Sequence, residues 1–189
     1  MLTLTLDTNT LKDVFEENTG TRKYAKQVRK LLELAKSGEV DLAVTTVFDR
    51  DAAADPNKSR LAGLRAWVPT LPLVADLPAV ARYDYSSFGG GDVYGSMDDA
   101  IRLDQLAALV FPRLADLSPS SHRNTRSQVN DVDHLAAHLR AHRDSFVTGD
   151  TGILSKSKRL MNEFDIRVWT PDQALNEVQR TSRGESDGN

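Results

Sequence analysis

Four aspartates stand where a fold could gather them. In the stretch 131–150, Asp131 precedes an apolar-periodic run, and Asp150 follows a short aromatic and β-branched segment ending Thr148-Gly149-Asp150. Asp7 follows the strictly alternating Leu2-Thr3-Leu4-Thr5-Leu6, and Asp51 comes within two turns of the end of Val40–Thr45. Carboxylates within about 4 Å of each other repel by roughly 4 kcal/mol per pair at an effective dielectric near 20, so such a cluster needs a cation or shared protons. Oxygen-only donors, with no thiolate available, point to Mg²⁺ or Mn²⁺. One such ion lowers the pKa of a bound water, and two clamp an in-line displacement at phosphorus. Asp133 lies two residues from Asp131, about 200° around a helix, and does not share an ion with it.

The elements that would position these acids read as a parallel α/β sheet. Val132, Leu135, Ala136 and Leu139 fall at helical spacing, with Asp131 as N-cap. Ser145–Asp150 reads as a buried strand whose carboxyl end carries the polar Thr-Gly-Asp cluster, and helix-then-strand order belongs to folds whose ligand sites lie outside the carboxyl ends of the strands. Further strands are expected at Leu2–Leu6, Val40–Thr45, Asp165–Trp169 and, at or near the sheet edge, Ala79–Tyr85. Thr46-Val47-Phe48-Asp49 has the form of a capping box. Asp49 therefore reads first as a cap partner and Asp51 as the better candidate for a shared site, with the choice of second acid open between them. Helices are expected at Tyr24–Ala35 (stopped by Ser37-Gly38, with a solvated basic face), Leu61–Trp67, after the Ser96–Asp99 cap as far as Pro112, and after Thr170-Pro171-Asp172.

Three other features invite chemistry. Ser118–Ser127 is polar and aperiodic and reads as a loop whose Arg123 and Arg126 could meet substrate phosphate. Phe88–Gly95 reads as a mobile glycine loop. It lacks the Gly-Lys-Ser/Thr of a phosphate cradle. His134, His138 and His142 have the i, i+4 spacing of a zinc site, but lie beside the apolar stripe with no evident third ligand and read as surface or boundary histidines.

The 189 residues suffice for one domain, with 40% hydrophobic and 27% charged residues. A formal net charge of -3 excludes nucleic-acid binding by bulk charge alone, while leaving room for a basic patch beside an acidic site. The absence of cysteine excludes disulfides and fits a reducing compartment. With no basic leader and no run near the roughly 20 apolar residues that span a bilayer, a cytoplasmic protein without membrane partners is expected. The expected organisation is one domain over 1–179, with a variable middle segment at about 68–128 and a disordered tail at 180–189.

The residues Leu4-Thr5-Leu6-Asp7-Thr8-Asn9, Asp131-Val132-Asp133-His134-Leu135, Phe146-Val147-Thr148-Gly149-Asp150 and Ile166-Arg167-Val168-Trp169-Thr170-Pro171 together resemble a PIN domain. The resemblance implies a three-layer α/β/α sandwich around a mainly parallel sheet and a Mg²⁺- or Mn²⁺-dependent ribonuclease acting on RNA. It assigns catalytic roles to Asp7, Asp51, Asp131 and Asp150, metal binding to Asp7, Asp131 and Asp150, and supporting roles to Asn9 and Thr148, with Asp49 beside them. The family's second acid is usually Glu, so the shorter Asp51 would reach an ion through water. Many relatives are toxins held by an antitoxin, so an antitoxin protein and a homodimer join RNA as candidate partners. The alternative is a catalytically silent or partner-regulated PIN-like binding module.

Overall fold

The computed structural model describes residues 1–16, 23–53, 57–73, 76–82, 86, 90–112 and 123–183, without the side chains of 123–125. In chain order the elements are β1 (Leu2–Leu6), α1 (Thr8–Phe15), α2 (Ala25–Lys36), β2 (Val40–Thr45), α3 (Val47–Ala53), α4 (Lys58–Trp67), a 3₁₀ turn (Val68–Thr70) and β3 (Asp76–Leu77). They continue with α5 (Met97–Val110), α6 (Arg123–Arg140), β4 (Ser145–Val147), α7 (Thr151–Leu154), α8 (Ser157–Phe164), β5 (Val168–Trp169) and α9 (Pro171–Ser182). The strands form an all-parallel sheet in the order β3-β2-β1-β4-β5.

A parallel sheet is buried on both faces, and the two faces here carry different side chains. Leu4 and Leu6 of β1 and Leu42 and Val44 of β2 pack against Leu11 of α1, Leu31 of α2, Leu64 of α4 and Val178 of α9. On the other face Phe146 meets Leu106 of α5, Val132 and Leu135 of α6, Ile153 of α7 and Leu160 of α8. The result is the expected α/β/α sandwich. Thr5, on the polar side of the β1 alternation, is fully buried against α6. Alternation in β1 thus separates two kinds of interior rather than core from solvent. Among the described residues no helix is long and apolar enough to cross a membrane.

Several expectations need correction. α6 begins at Arg123, so 123–127 is helix rather than loop, and Asp131 sits mid-helix instead of capping it. The first turns are polar and exposed at Arg126 and Ser127, with Val129 the first buried apolar residue, so the periodicity that betrays a helix starts late. The edge strand is Asp76–Leu77 rather than Ala79–Tyr85: Pro78 has no N–H for the ladder, and Val80 makes only an isolated bridge to Val93. Tyr83–Tyr85 lie outside the described residues. Thr46 does not act as the capping-box hydroxyl. It donates to Asp92 Oδ1 at 2.6 Å and accepts from the Ala79 amide at 2.9 Å, tying the glycine segment down. Gly91 in that segment has φ +83, a left-handed value that glycine accepts without strain. Of the glycine segment, 87–89 lie outside the described residues. α9 runs to Ser182, three residues past the expected domain end, behind the Thr170/Gln173 capping box and first-turn Pro171. Residues 184–189 lie outside the described residues.

Candidate functional site

β1 and β4 are neighbours, but the chain leaves β1 towards β2 on one side and reaches β4 only after α5 and α6. The crevice beyond their carboxyl ends is therefore a topological switch point, the usual place for ligands in open α/β sheets. Asp7 occupies the end of β1. Its carboxyl is 1% exposed, caps α1 through a long 3.5 Å contact from the Asn9 amide, and accepts the Thr148 hydroxyl at 2.7 Å from the end of β4. Thr148 Oγ1 in turn accepts the Asp150 amide at 2.9 Å, and Asp150 Oδ1 accepts the Ile153 amide at 3.0 Å as the N-cap of α7. This hydrogen-bonded chain holds the acids of two adjacent strand ends in a defined relation.

The other two acids come from helices. Asp51, on α3, lies 3.6 Å from the Lys12 ammonium and takes the Asn130 side-chain amide at 3.3 Å. Asp131 is the next residue on α6, and burial is the first reason its carboxyl is pushed up to about 9, followed by the charges of Asp7, Asp51 and Asp150. The charge of Lys12 opposes the rise. Asp7 is pushed up to about 6, first by burial, with Asp51 and Asp150 adding to it and the Thr148 and Asn9 hydrogen bonds opposing it. The four aspartates therefore sense one another's charge beyond the carboxyl ends of β1 and β4.

Their arrangement is open. Among the described residues no group of three or more His, Cys, Asp or Glu side chains forms a ready-made coordination set. That does not conflict with the electrostatics, because Coulomb repulsion acts well beyond coordination distance. Mg²⁺ is usually held by one or two carboxylates with waters completing its shell. The donor chemistry, carboxylate oxygens only, suits such an ion. Such an ion would take one or two of its ligands from Asp7, Asp131 and Asp150 and the rest from water, with Asp51 alongside.

The remaining predicted residues divide. Asn9 is exposed and reaches Asp7 through its backbone amide. Thr148 is buried between Asp7 and Asp150. Asp49 is exposed on α3 and pairs with Arg65 at 3.1 Å, away from the Asp51 interactions. Arg126 is exposed on α6, one helical turn before Asn130. The Arg123 side chain lies outside the described residues.

The surface or boundary assignment of the histidines is overturned for two of them. His134 and His138 are each 1% exposed. His134 is hydrogen bonded through Nδ1 with Thr45 at 2.6 Å and through Nε2 with Thr8 at 3.2 Å, so both ring nitrogens are engaged. His138 Nδ1 meets Thr5 at 2.8 Å and its ring stands edge-on to Phe146. Burial depresses the two rings to about 4 and about 3, which keeps them neutral. His142 is exposed, with φ 51, beyond the end of α6.

Residue-by-residue reading missed Lys12, Asn130 and the buried ion network around Asp133. Asp133 accepts Arg50 Nη2 at 2.8 Å and Arg82 Nε at 2.6 Å, and Arg50 also faces Asp92 at 3.8 Å. Arg50 and Asp133 flank Asp51 and Asp131 in sequence, so the network ties α3 to α6 beside the site. Asn130 was accessible in principle: with α6 extended, it lies one turn before His134, on the sheet-facing side. No family model of known proteins matches the chain, and no curated protein matches it at a significant level.

Proposed function

We propose that this protein is a Mg²⁺- or Mn²⁺-dependent endoribonuclease of PIN type that hydrolyses RNA phosphodiester bonds at the Asp7, Asp51, Asp131 and Asp150 crevice. The observation that carries the reading is the convergence at the switch point of four aspartates from separate elements, close enough that the charges of Asp51 and Asp150 help to raise the carboxyls of Asp7 and Asp131. A buried Asp7 among three half-buried acids is costly to retain for structure alone, and strongly perturbed groups gathered at a switch point mark functional sites. A bound divalent ion would supply Lewis-acid polarisation of the phosphate and a water of lowered pKa. The chain's own residues would do the rest. Thr148 fixes the Asp7 carboxyl, the Ile153 amide fixes Asp150, and Asn130 fixes Asp51. Asp131, kept protonated by burial and by the charges of Asp7, Asp51 and Asp150, is the member that would give up its proton when a cation arrives. Arg126, exposed on the same helix, would meet the RNA backbone, with Arg123 one turn earlier. An antitoxin protein or a second copy would act by covering this crevice.

One observation favours the silent, partner-regulated module: the open carboxylate arrangement already holds a cation, Lys12. The two readings separate in one assay. A mixed-sequence single-stranded RNA is incubated with wild-type and Asp7→Asn protein, with and without Mn²⁺, folding being followed by circular dichroism. The nuclease reading expects Mn²⁺-dependent internal cleavage that falls by about 10²-fold or more in Asp7→Asn. Folded wild-type protein that leaves RNA intact in Mn²⁺ overturns it in favour of the silent module.

A further inference from the structure

We infer that Lys12 is a tethered cation with two duties: it neutralises Asp51 in the metal-free site, and it turns to a non-bridging phosphate oxygen of the RNA once a divalent ion bound beside Asp51 neutralises that carboxylate instead. This rests on the nuclease reading above. Lys12 lies on α1, the helix capped by Asp7, so its backbone is anchored to the end of β1. It is one turn after Thr8, whose hydroxyl is held by His134, and this fixes the face of α1 from which the lysine extends. Its side chain is 20% exposed and its ammonium stands 3.6 Å from Asp51 Oδ2. It is also the cation that opposes the rise of the Asp131 carboxyl, so its charge reaches across the crevice.

A lysine ammonium is a point charge on a flexible stem and can change partner without moving the backbone. Asp51 is itself held by Asn130, so releasing Lys12 leaves the carboxylate in position. A divalent ion and an ammonium compete for the same carboxylate charge, and the half-buried ammonium, once released, is then available to a substrate phosphate. Lysine is well suited to neutralise phosphoryl oxygens as a point charge. No covalent step involves Lys12, and it keeps its proton throughout.

The two duties predict opposite effects of one substitution, which a merely structural lysine would not produce. In Lys12→Met, Mn²⁺ affinity measured by calorimetry on the full chain without RNA should tighten at least about fivefold, because a competing charge is gone. Cleavage of single-stranded RNA at saturating Mn²⁺ should fall by about 10²-fold in kcat. Lys12→Arg should recover part of the cleavage. Inhibition by inorganic phosphate at saturating Mn²⁺ should weaken in Lys12→Met. If wild-type protein binds Mn²⁺ and cleaves RNA while Lys12→Met does both with unchanged constants, the role of Lys12 is wrong and the nuclease reading stands. Weakened Mn²⁺ affinity in a folded Lys12→Met protein also overturns the role. If wild-type protein neither binds Mn²⁺ nor cleaves RNA, the nuclease reading itself fails, and the role of Lys12 with it.

Discussion

Replacing Asp131 with Asn should stabilise the metal-free protein at neutral pH. An unfolded aspartate ionises near 3.8, whereas folded Asp131 keeps its proton up to about 9. Between those values the unfolded chain binds fewer protons than the folded one, so the group's contribution, full below 3.8, is lost as pH rises. Each pH step of one costs about 1.4 kcal/mol, or roughly 4 kcal/mol by pH 7, and solvent screening at the partly exposed carboxyl brings this to about 2 kcal/mol. Asn carries no ionisable proton and escapes the penalty. Urea unfolding in a chelator at pH 4 and pH 7 should show the Asp131→Asn protein about 2 kcal/mol more stable than wild type at pH 7, and close to it at pH 4. Added Mn²⁺ should then stabilise wild type, by about 2.7 kcal/mol at one hundred times its dissociation constant, and the variant less. A variant that is less stable at pH 7, or whose advantage is the same at both pH values, would refute the repulsion argument.

Two further outcomes follow from the interior polar groups. Asp133→Ala leaves the Arg50 and Arg82 guanidiniums without their shared carboxylate, so stability should fall by about 3–5 kcal/mol, read as a lower urea midpoint. A loss under 1 kcal/mol would mean that the network contributes little. His134 is held neutral down to about 4 against an ordinary 6.5, so its contribution is present above 6.5 and lost as pH falls towards 4. His134→Gln should therefore flatten the acid limb of the stability curve, the wild-type loss between those pH values being about 3 kcal/mol. Parallel curves for the two proteins would count against a buried neutral imidazole.

The helices with complete local signals were legible. α5 follows its Ser96/Asp99 capping box, and α9 follows Thr170, Pro171 and Gln173, because caps and first-turn prolines act through neighbours in sequence. α6 was legible only from Val132 onward, with Asp131 taken as its cap, since the turns before it are polar apart from Val129 and impose no apolar period. Thr46 was misread because its local pattern fits a cap, while a loop more than forty residues away provides its actual partner, Asp92. The histidines were misread for a similar reason. A histidine beside an apolar stripe is a boundary residue if the facing strand is apolar, and interior if that strand presents threonines, as β1 and β2 do at Thr5 and Thr45.

What the sequence determined by itself was the parallel α/β frame and the placing of Asp7 and Asp150 at strand ends, because strand periodicity and the polar residues that end strands are local properties. Only the tertiary structure decided which acids interact and what surrounds them. Asp51 rather than Asp49 faces Lys12 and Asn130, Asp131 interacts with the group from the middle of a helix, and Asp133 turns to two arginines. The physical reason is range: capping and periodicity act within a few residues, whereas desolvation and Coulomb repulsion depend on which distant segments the crossover from β3 to β4 brings to one sheet edge.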